Sequence, residues 1–248
     1  MRSTALLALC LLAPAGASAQ PEVLMIGSSS VAGPLGRTIE SELEGWGVSV
    51  RRRGRGASGF ARPDFYDWEA QIPRLAPLDQ YAAVVLLTGG NDVQSLRADD
   101  GGWVRWHDEE AWTQVYVERV RRFVDALCDE GTRRVIVVLP ANGGRPLWSE
   151  RIVRVRAGLA AGAEASRCGV VMDGGDDELP SHDGVHLTRR GAVTLWSRIA
   201  PAMSEVLQVR PVTARAGGAS PPRGRSAPGS AGSAPSPPAA ARRARSAR

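Results

Sequence analysis

The stretch "AAVVLLTGGND" (residues 82–92) joins an unbroken apolar run to a polar block, and it indicates the architecture of the chain. A short continuous apolar run that contains Val and Thr and is followed by glycines is typical of a strand buried on both faces. Strands of this kind occur in parallel sheets that helices cover on both sides. The polar residues after the run mark the end of the strand.

Other short apolar runs repeat this pattern along the chain, and longer segments between them have apolar residues three and four apart, as amphipathic helices do. The alternation predicts an α/β fold, a three-layer α/β/α sandwich of flavodoxin-like type with a central five-stranded parallel sheet. In such sheets the chemistry collects at the carboxyl ends of the strands. The remaining predicted strands are "EVLMI" (22–26), "VSV" (48–50), "RVIVVLP" (134–140) and "GVVMD" (169–173). The predicted helices cover residues 34–47, 111–131, 148–167 and 190–209.

Two terminal segments differ in composition from the body of the chain. Residues 1–19 have an arginine, an apolar stretch and small residues at a cleavage position, which predicts a signal peptide and export to the periplasm or the extracellular space. Residues 213–248 consist largely of Ala, Gly, Pro, Ser and Arg, which predicts a disordered tail. The single predicted domain is residues 20–212, and we expect no transmembrane segment in it.

The charge of the body argues against a nucleic-acid partner. The formal net charge is +5, but the predicted tail holds seven arginines and no acid, and Arg2 belongs to the predicted leader, so residues 20–212 carry a net −3. A mildly acidic body has no basic groove for nucleic acid. The tail offers arginines to an anionic surface, although its composition favours a solvated chain.

Cys128 and Cys168 are the only cysteines outside the predicted leader. Both precede a predicted strand, and an exported chain passes through an oxidising compartment. A disulfide and two buried free thiols both fit these positions. Two cysteines are too few for a structural zinc site.

Two glycine-containing stretches are similar to three known motifs, but a required feature of each motif is missing. "GSSSVAG" (27–33) is no phosphate-binding P-loop, because that loop needs a lysine and the chain has none. The same stretch lacks the second glycine of the G-x-S-x-G nucleophile elbow, since Val31 stands there. "GRGASG" (54–59) matches G-x-G-x-x-G but follows the second strand and opens no helix, which argues against dinucleotide binding.

The chemistry-bearing residues that remain lie at the ends of different strands. They are a serine in "GSSS", a glycine in "ASGF", an asparagine in "GGND", and Asp183 and His186 in "DGVH". A spacing of three lets the Asp183 carboxylate accept a hydrogen bond from Nδ1 of His186 and leaves Nε2 free to face a nucleophile.

In their order and separation these four blocks resemble those of the SGNH (GDSL-like) hydrolase family, and "RPDFYDW" (62–68) is similar to its periplasmic or secreted branch. The resemblance covers essentially the whole body and implies the same α/β/α fold. It implies that Ser29 is the nucleophile, that His186 is the base oriented by Asp183, and that Gly59, Asn91 and the N–H of Ser29 form the oxyanion hole. It implies neither a cofactor nor a metal.

One residue departs from the family pattern, which has an aspartate before the nucleophile where this chain has Ser28. We expect this change to alter loop hydrogen bonds rather than chemistry, and we expect Ser30 to cap the following helix. Trp103 and Trp106, in a polar loop after Asn91, could stack on a sugar or cover the site, or could pack the start of the next helix.

The sequence thus predicts a serine esterase that hydrolyses a small O-acyl ester through an acyl-enzyme. An acetyl ester of a small molecule or of a cell-envelope carbohydrate is the expected substrate. Two alternatives remain open at this point. One is an O-acyltransferase with the same triad, and the other is a non-catalytic module that binds the cell envelope.

Overall fold

A five-stranded parallel sheet lies at the centre of the chain in the computed structural model, which describes residues 20–209. The predicted signal peptide (1–19) and tail (213–248) lie outside the described residues. The sheet has the order β2-β1-β3-β6-β7, and a separate two-stranded ribbon pairs β4 with β5. The strands are β1 (Glu22–Gly27), β2 (Ser49–Gly54), β3 (Ala83–Leu87), β4 (Leu96–Arg97), β5 (Trp103–Val104), β6 (Val135–Val138) and β7 (Gly169–Met172).

Helices cover both faces of this sheet. Helices α2 and α6 pack against each other on one face, and α4 and α5 do so on the other. The helices are α1 (Ser29–Ala32), α2 (Pro34–Gly45), α3 (Ile72–Leu75), α4 (Glu109–Asp129), α5 (Pro146–Glu164) and α6 (Arg189–Leu207). None of the helices within residues 20–209 combines the length and the apolar character needed to cross a membrane.

Alternation along the strands divides the core into two halves. Val23 and Met25 of β1 pack with α2 and α6, while Leu24 and Ile26 pack with α4 and α5. All four side chains are fully buried, which is why the strand is apolar on both faces. The predicted three-layer α/β/α sandwich with five parallel strands is therefore confirmed.

The observed elements differ from the predicted ones in the length of β2 and in an additional two-stranded ribbon. Strand β2 continues through three arginines to Gly54, because it lies at the edge of the sheet and its outward face is exposed. The ribbon of β4 and β5 has two residues in each strand, too few to produce a periodic pattern.

The predicted helix cap at Ser30 is wrong. Ser28 occupies the N-cap position of α1, and its carbonyl accepts from the N–H of Val31 at 3.1 Å. The helix cap lies two residues earlier than expected, and Gly27, the last residue of β1, takes a positive φ of 137° just before it. A Cβ at Gly27 would lie 2.1 Å from the carbonyl oxygen of Leu87 on the neighbouring strand, so only glycine fits there.

Cys128 and Cys168 form a disulfide with 6.1 Å between their Cα atoms. The sequence left this pairing open. The bond joins the carboxyl end of α4 to the residue before β7. It therefore lies near the amino ends of the strands.

Candidate active site

Ser29 lies at the carboxyl end of the sheet, as the first residue of α1. The backbone before it is held by the N–H of Ser28, which donates to the carbonyl of Leu87 at 2.9 Å. Ser28 itself is buried, and its Oγ donates to the same carbonyl at 3.3 Å. Ser28 is thus a buried structural contact between the residue after β1 and the end of β3.

Asp183 and His186 lie in the loop between β7 and α6, and the structure brings them to Ser29. Ser29 Oγ is 3.1 Å from His186 Nε2, and His186 Nδ1 is 2.8 Å from Asp183 Oδ2. The other oxygen, Asp183 Oδ1, accepts from the N–H of His186 at 2.7 Å and from the N–H of Val185 at 3.0 Å. A single tight turn therefore fixes both the position and the orientation of the imidazole.

The hydrogen bonds of this turn control the charge of Asp183. The N–H of His186 contributes most, followed by the ring of His186 and the N–H of Val185, and together they hold the pKa of the Asp183 carboxyl well below its usual range. The side chains of His186 and Asp183 are 49% and 54% exposed, so water and a substrate both have access to the pair.

The loop that carries this pair is tied to the segment after β6. Ser181 Oγ donates to the carbonyl of Gly143 at 2.6 Å and accepts from the N–H of Gly184 at 2.9 Å. These bonds set the position of the turn relative to the carboxyl ends of the strands.

Asn91 follows β3 and lines the same cavity as Ser29 and His186. Its side-chain amide donates one hydrogen bond to the carbonyl of Ser58 at 2.8 Å. An amide nitrogen has two hydrogens, so one remains for another acceptor. Within residues 20–209, the backbone N–H groups of Ser29 and Gly59 have no acceptor.

Gly59 follows Ser58 directly but does not line this cavity. A Cβ at Gly59 would lie 2.1 Å from Oδ1 of Asp92. The glycine makes room for a buried carboxylate.

Asp92 is the residue of this region that the sequence analysis missed. It is buried and accepts from the N–H of Ala61 and from the hydroxyl of Tyr116, each at 2.8 Å. Burial raises the pKa of the Asp92 carboxyl, and these hydrogen bonds together with the charge of Arg119 oppose that shift. Asp92, the residue after Asn91, thereby links the Gly59 segment to Tyr116 of α4.

A cavity of about 50 Å³ opens beside Ser29 and His186. Its walls are mostly apolar, and Trp148 of α5 closes one side with its indole N–H donating to the carbonyl of Gly90 at 2.9 Å. Thr88, the residue after β3, lines it as well.

Trp103 and Trp106, predicted to contact substrate, do not line this cavity. Trp103 is 42% exposed, with the guanidinium groups of Arg62 and Arg97 each 5.1 Å from its ring centre. Trp106 is half-buried, packs edge-on against Trp112 at 4.8 Å, and so supports the start of α4. Their contact with a substrate stays a prediction.

Several other titratable side chains are exposed or paired. His182 and His107 are exposed. Asp173 pairs with Arg156, and Asp177 pairs with Arg198. Residues 20–209 contain no group of three or more His, Cys, Asp or Glu side chains arranged to hold a metal ion.

The chain matches a protein-family model but no curated protein. A family model described as "Protein of unknown function (DUF459)" matches residues 22–172. The search of curated proteins finds no match.

Three solved structures with a similar fold are named as hydrolases. A lipase/acylhydrolase from Enterococcus faecalis has a TM-score of 0.54 and 18% identity, over 77% of this chain and 98% of that chain. An alpha/beta hydrolase from the metagenome of Lake Arreo has a TM-score of 0.51 and 12% identity, over 76% and 95%. A catalytic mutant of an acetylxylan esterase from Geobacillus stearothermophilus has a TM-score of 0.50 and 16% identity, over 79% and 97%. These similarities establish a shared fold.

Proposed function

We propose that this chain, which belongs to the family described as "Protein of unknown function (DUF459)", is a serine esterase that hydrolyses a small O-acyl ester. The observation that carries the proposal is the hydrogen-bonded series of Ser29, His186 and Asp183, with contacts of 3.1 and 2.8 Å. A serine hydroxyl becomes a nucleophile when a base within hydrogen-bond reach removes its proton. The family resemblance of the four sequence blocks supports the same assignment.

In the first half of the reaction, Ser29 Oγ attacks the ester carbonyl carbon while its proton passes to His186 Nε2. Asp183 stabilises the imidazolium that forms and keeps the hydrogen of the neutral ring on Nδ1. His186 then gives the proton to the leaving alcohol as the carbon–oxygen bond breaks, which leaves the acyl group on Ser29. In the second half, water attacks the acyl carbon and loses its proton to His186, which returns it to Ser29 Oγ as the acid leaves.

The negative oxygen of each tetrahedral intermediate needs donors that are already in place. The free hydrogen of the Asn91 amide and the N–H groups of Ser29 and Gly59 are the proposed donors. Removing one such donor typically costs about 2.7–4 kcal/mol of barrier.

Exposure of the site favours hydrolysis over transfer to an acceptor alcohol. Water reaches the half-exposed His186 freely, whereas a transferase must keep it from the acyl-enzyme. The same openness leaves room for a large alcohol portion, such as a sugar residue. An acetyl ester of a carbohydrate therefore fits the site, and a cell-envelope carbohydrate follows if the predicted export holds.

A fluorophosphonate probe tests the nucleophile directly. We expect the purified protein to be labelled, Ser29→Ala to lose labelling and p-nitrophenyl acetate hydrolysis, and Ser30→Ala, one residue along the same short helix, to keep both. Absence of labelling in the natural protein would favour the non-catalytic alternative. Loss of labelling in Ser30→Ala alone would mean that the nucleophile is assigned one residue too early.

A further inference from the structure

The cavity beside Ser29 has one wall that is built by the start of a helix. Gly33, Pro34 and Leu35 are consecutive residues, and all three line the cavity. Pro34 and Leu35 are the first two residues of α2, a helix that carries neither Ser29 nor His186. The size of this wall can therefore be changed without changing a residue that is proposed to act in catalysis.

Four leucines line the cavity, and they differ in how much accessible surface they keep. Leu35 is 8% exposed and Leu187 is 7% exposed, whereas Leu139 is 4% and Leu87 is 1% exposed. Leu35 and Leu187 thus offer the most leucine surface to an occupant of the cavity. Leu187 directly follows His186, which leaves Leu35 as the leucine of this pair that lies outside the catalytic turn.

The size and the chemistry of the cavity limit what it can hold. A single water needs roughly 10–15 Å³ of such space, so a volume of about 50 Å³ admits only a few non-hydrogen atoms. No arginine and no carboxylate of residues 20–209 lines the cavity. A short uncharged chain matches these walls, because burying a charge without a partner is costly.

The proposed mechanism leaves one direction for such a chain. His186 Nε2 must reach the leaving alcohol in order to protonate it, and the half-exposed ring puts that alcohol on the open side of the site. The negative oxygen points to the amide of Asn91. The acyl chain takes the remaining position on the tetrahedral carbon and faces the enclosed cavity.

We propose that Leu35 is the residue that limits the length of the acyl chain, because its side chain fills the space that a longer chain would enter. The inference rests on the function proposed above and adds the residue that sets acyl specificity. In the natural protein an acetyl group fits the cavity, and a hexanoyl group overlaps the wall formed by α2. Leu35→Ala removes three carbons of that wall and enlarges the cavity.

The esters p-nitrophenyl acetate and p-nitrophenyl hexanoate test this role, because they share an alcohol and differ only in acyl length. The measurement is the ratio of kcat/KM for the hexanoate to kcat/KM for the acetate, in the natural protein and in Leu35→Ala. A general loss of activity slows both esters and cancels in the ratio. We expect the ratio to rise by about tenfold or more, since one methylene in an apolar pocket changes kcat/KM by about 10–200-fold.

Leu43→Ala is the matched control for this variant. Leu43 lies on the same helix and is fully buried, but it does not line the cavity. Its replacement should lower the free energy of unfolding and leave the ratio unchanged. If Leu35→Ala does not fold, Leu35→Val, which removes a single carbon, should raise the ratio by a smaller factor.

A second pair of esters distinguishes the acyl chain from the alcohol as the occupant of the cavity. Ethyl acetate and hexyl acetate differ only in their alcohols, so their ratio of kcat/KM should be the same in the natural protein and in Leu35→Ala. A change in this ratio without a change in the acyl-length ratio would mean that the cavity holds the alcohol, and it would overturn the proposal.

An acyl-length ratio that is equal in the natural protein and in the folded Leu35 variant also overturns the proposal. If the protein is labelled by the fluorophosphonate and cleaves p-nitrophenyl acetate, that result leaves the esterase function standing. If the protein is neither labelled nor active on any of these esters, the proposed function fails and the role of Leu35 fails with it.

Discussion

At the scale of single residues, the turn around Asp183 separates the titration of this carboxyl group from the pH range in which an imidazole titrates. Hydrogen bonds from the N–H and ring of His186, and from the N–H of Val185, favour the ionised carboxylate. Because the pKa of Asp183 is lowered on folding, the stability it contributes is present above the usual carboxyl pKa and is lost as the pH falls through the lowered value. Asp183 therefore keeps its charge throughout the range in which an imidazole titrates.

This separation predicts the shape of the pH–rate profile. We expect kcat/KM for p-nitrophenyl acetate to rise with pH in a single step as the proposed base becomes available, with no second acid step from Asp183. Measurement between about pH 4 and 9 at constant ionic strength checks this. A profile that stays flat down to about pH 4 would contradict the role given to His186.

At the scale of elements, the segments after β2 and β3 are joined by buried polar contacts in addition to the backbone bond from the N–H of Arg97 to the carbonyl of Ala61. Asp92 accepts from Ala61 in one segment and from Tyr116 of α4, and the Asn91 amide holds the carbonyl of Ser58. The proposed oxyanion donors Gly59 and Asn91 therefore depend on a carboxylate that touches neither Ser29 nor His186.

Gly59→Ala tests this dependence. The new Cβ would lie 2.1 Å from Asp92 Oδ1, so the carboxylate must move and its hydrogen bonds weaken. We expect the free energy of unfolding to fall by about 1–3 kcal/mol, as for other overpacked sites. We also expect kcat/KM to fall by about 10²–10³-fold, as when one oxyanion donor is misplaced.

Gly56→Ala is the matched control for this variant. Gly56 is exposed in the same loop, and a Cβ there would meet no heavy atom within 4 Å. Denaturant unfolding and kinetics should leave Gly56→Ala close to the natural protein. If Gly59→Ala were as stable and as active as Gly56→Ala, the link through Asp92 would have no functional weight.

At the scale of the whole molecule, the periodicity of the sequence was sufficient for the sheet and the four long helices. Strands buried on both faces must be continuously apolar, and helices that cover them must be amphipathic, so both leave a local pattern. The ribbon of β4 and β5 and the short helix α1 leave none, since strands of two residues and a helix of four are too short to show a period.

The candidate site divides in the same way. Asp183 and His186 act within one turn, so their spacing alone indicated that they could pair. Asp92 was missed because its contacts arise only in the folded chain. The partner of Asp92 is Tyr116, on a helix beyond the intervening ribbon.

The disulfide and the triad lie at opposite ends of the strands. We therefore predict that stability and activity can be changed separately. Cys128 is in the last turn of α4 and Cys168 precedes β7, so the bond is near the amino ends of the strands, while Ser29 follows the carboxyl end of β1. Closing a loop between cysteines 40 residues apart constrains the unfolded chain and contributes roughly 4 kcal/mol in the chain-entropy treatment.

We expect the double variant Cys128→Ser and Cys168→Ser to unfold at lower urea concentration, with kcat/KM unchanged at 25 °C. Reduction with dithiothreitol should lower the midpoint of the natural protein and leave that of the variant unaltered. Equal midpoints for the oxidised and reduced natural protein would show that the bond adds no stability, and a large loss of activity in the folded variant would show that the two edges are coupled.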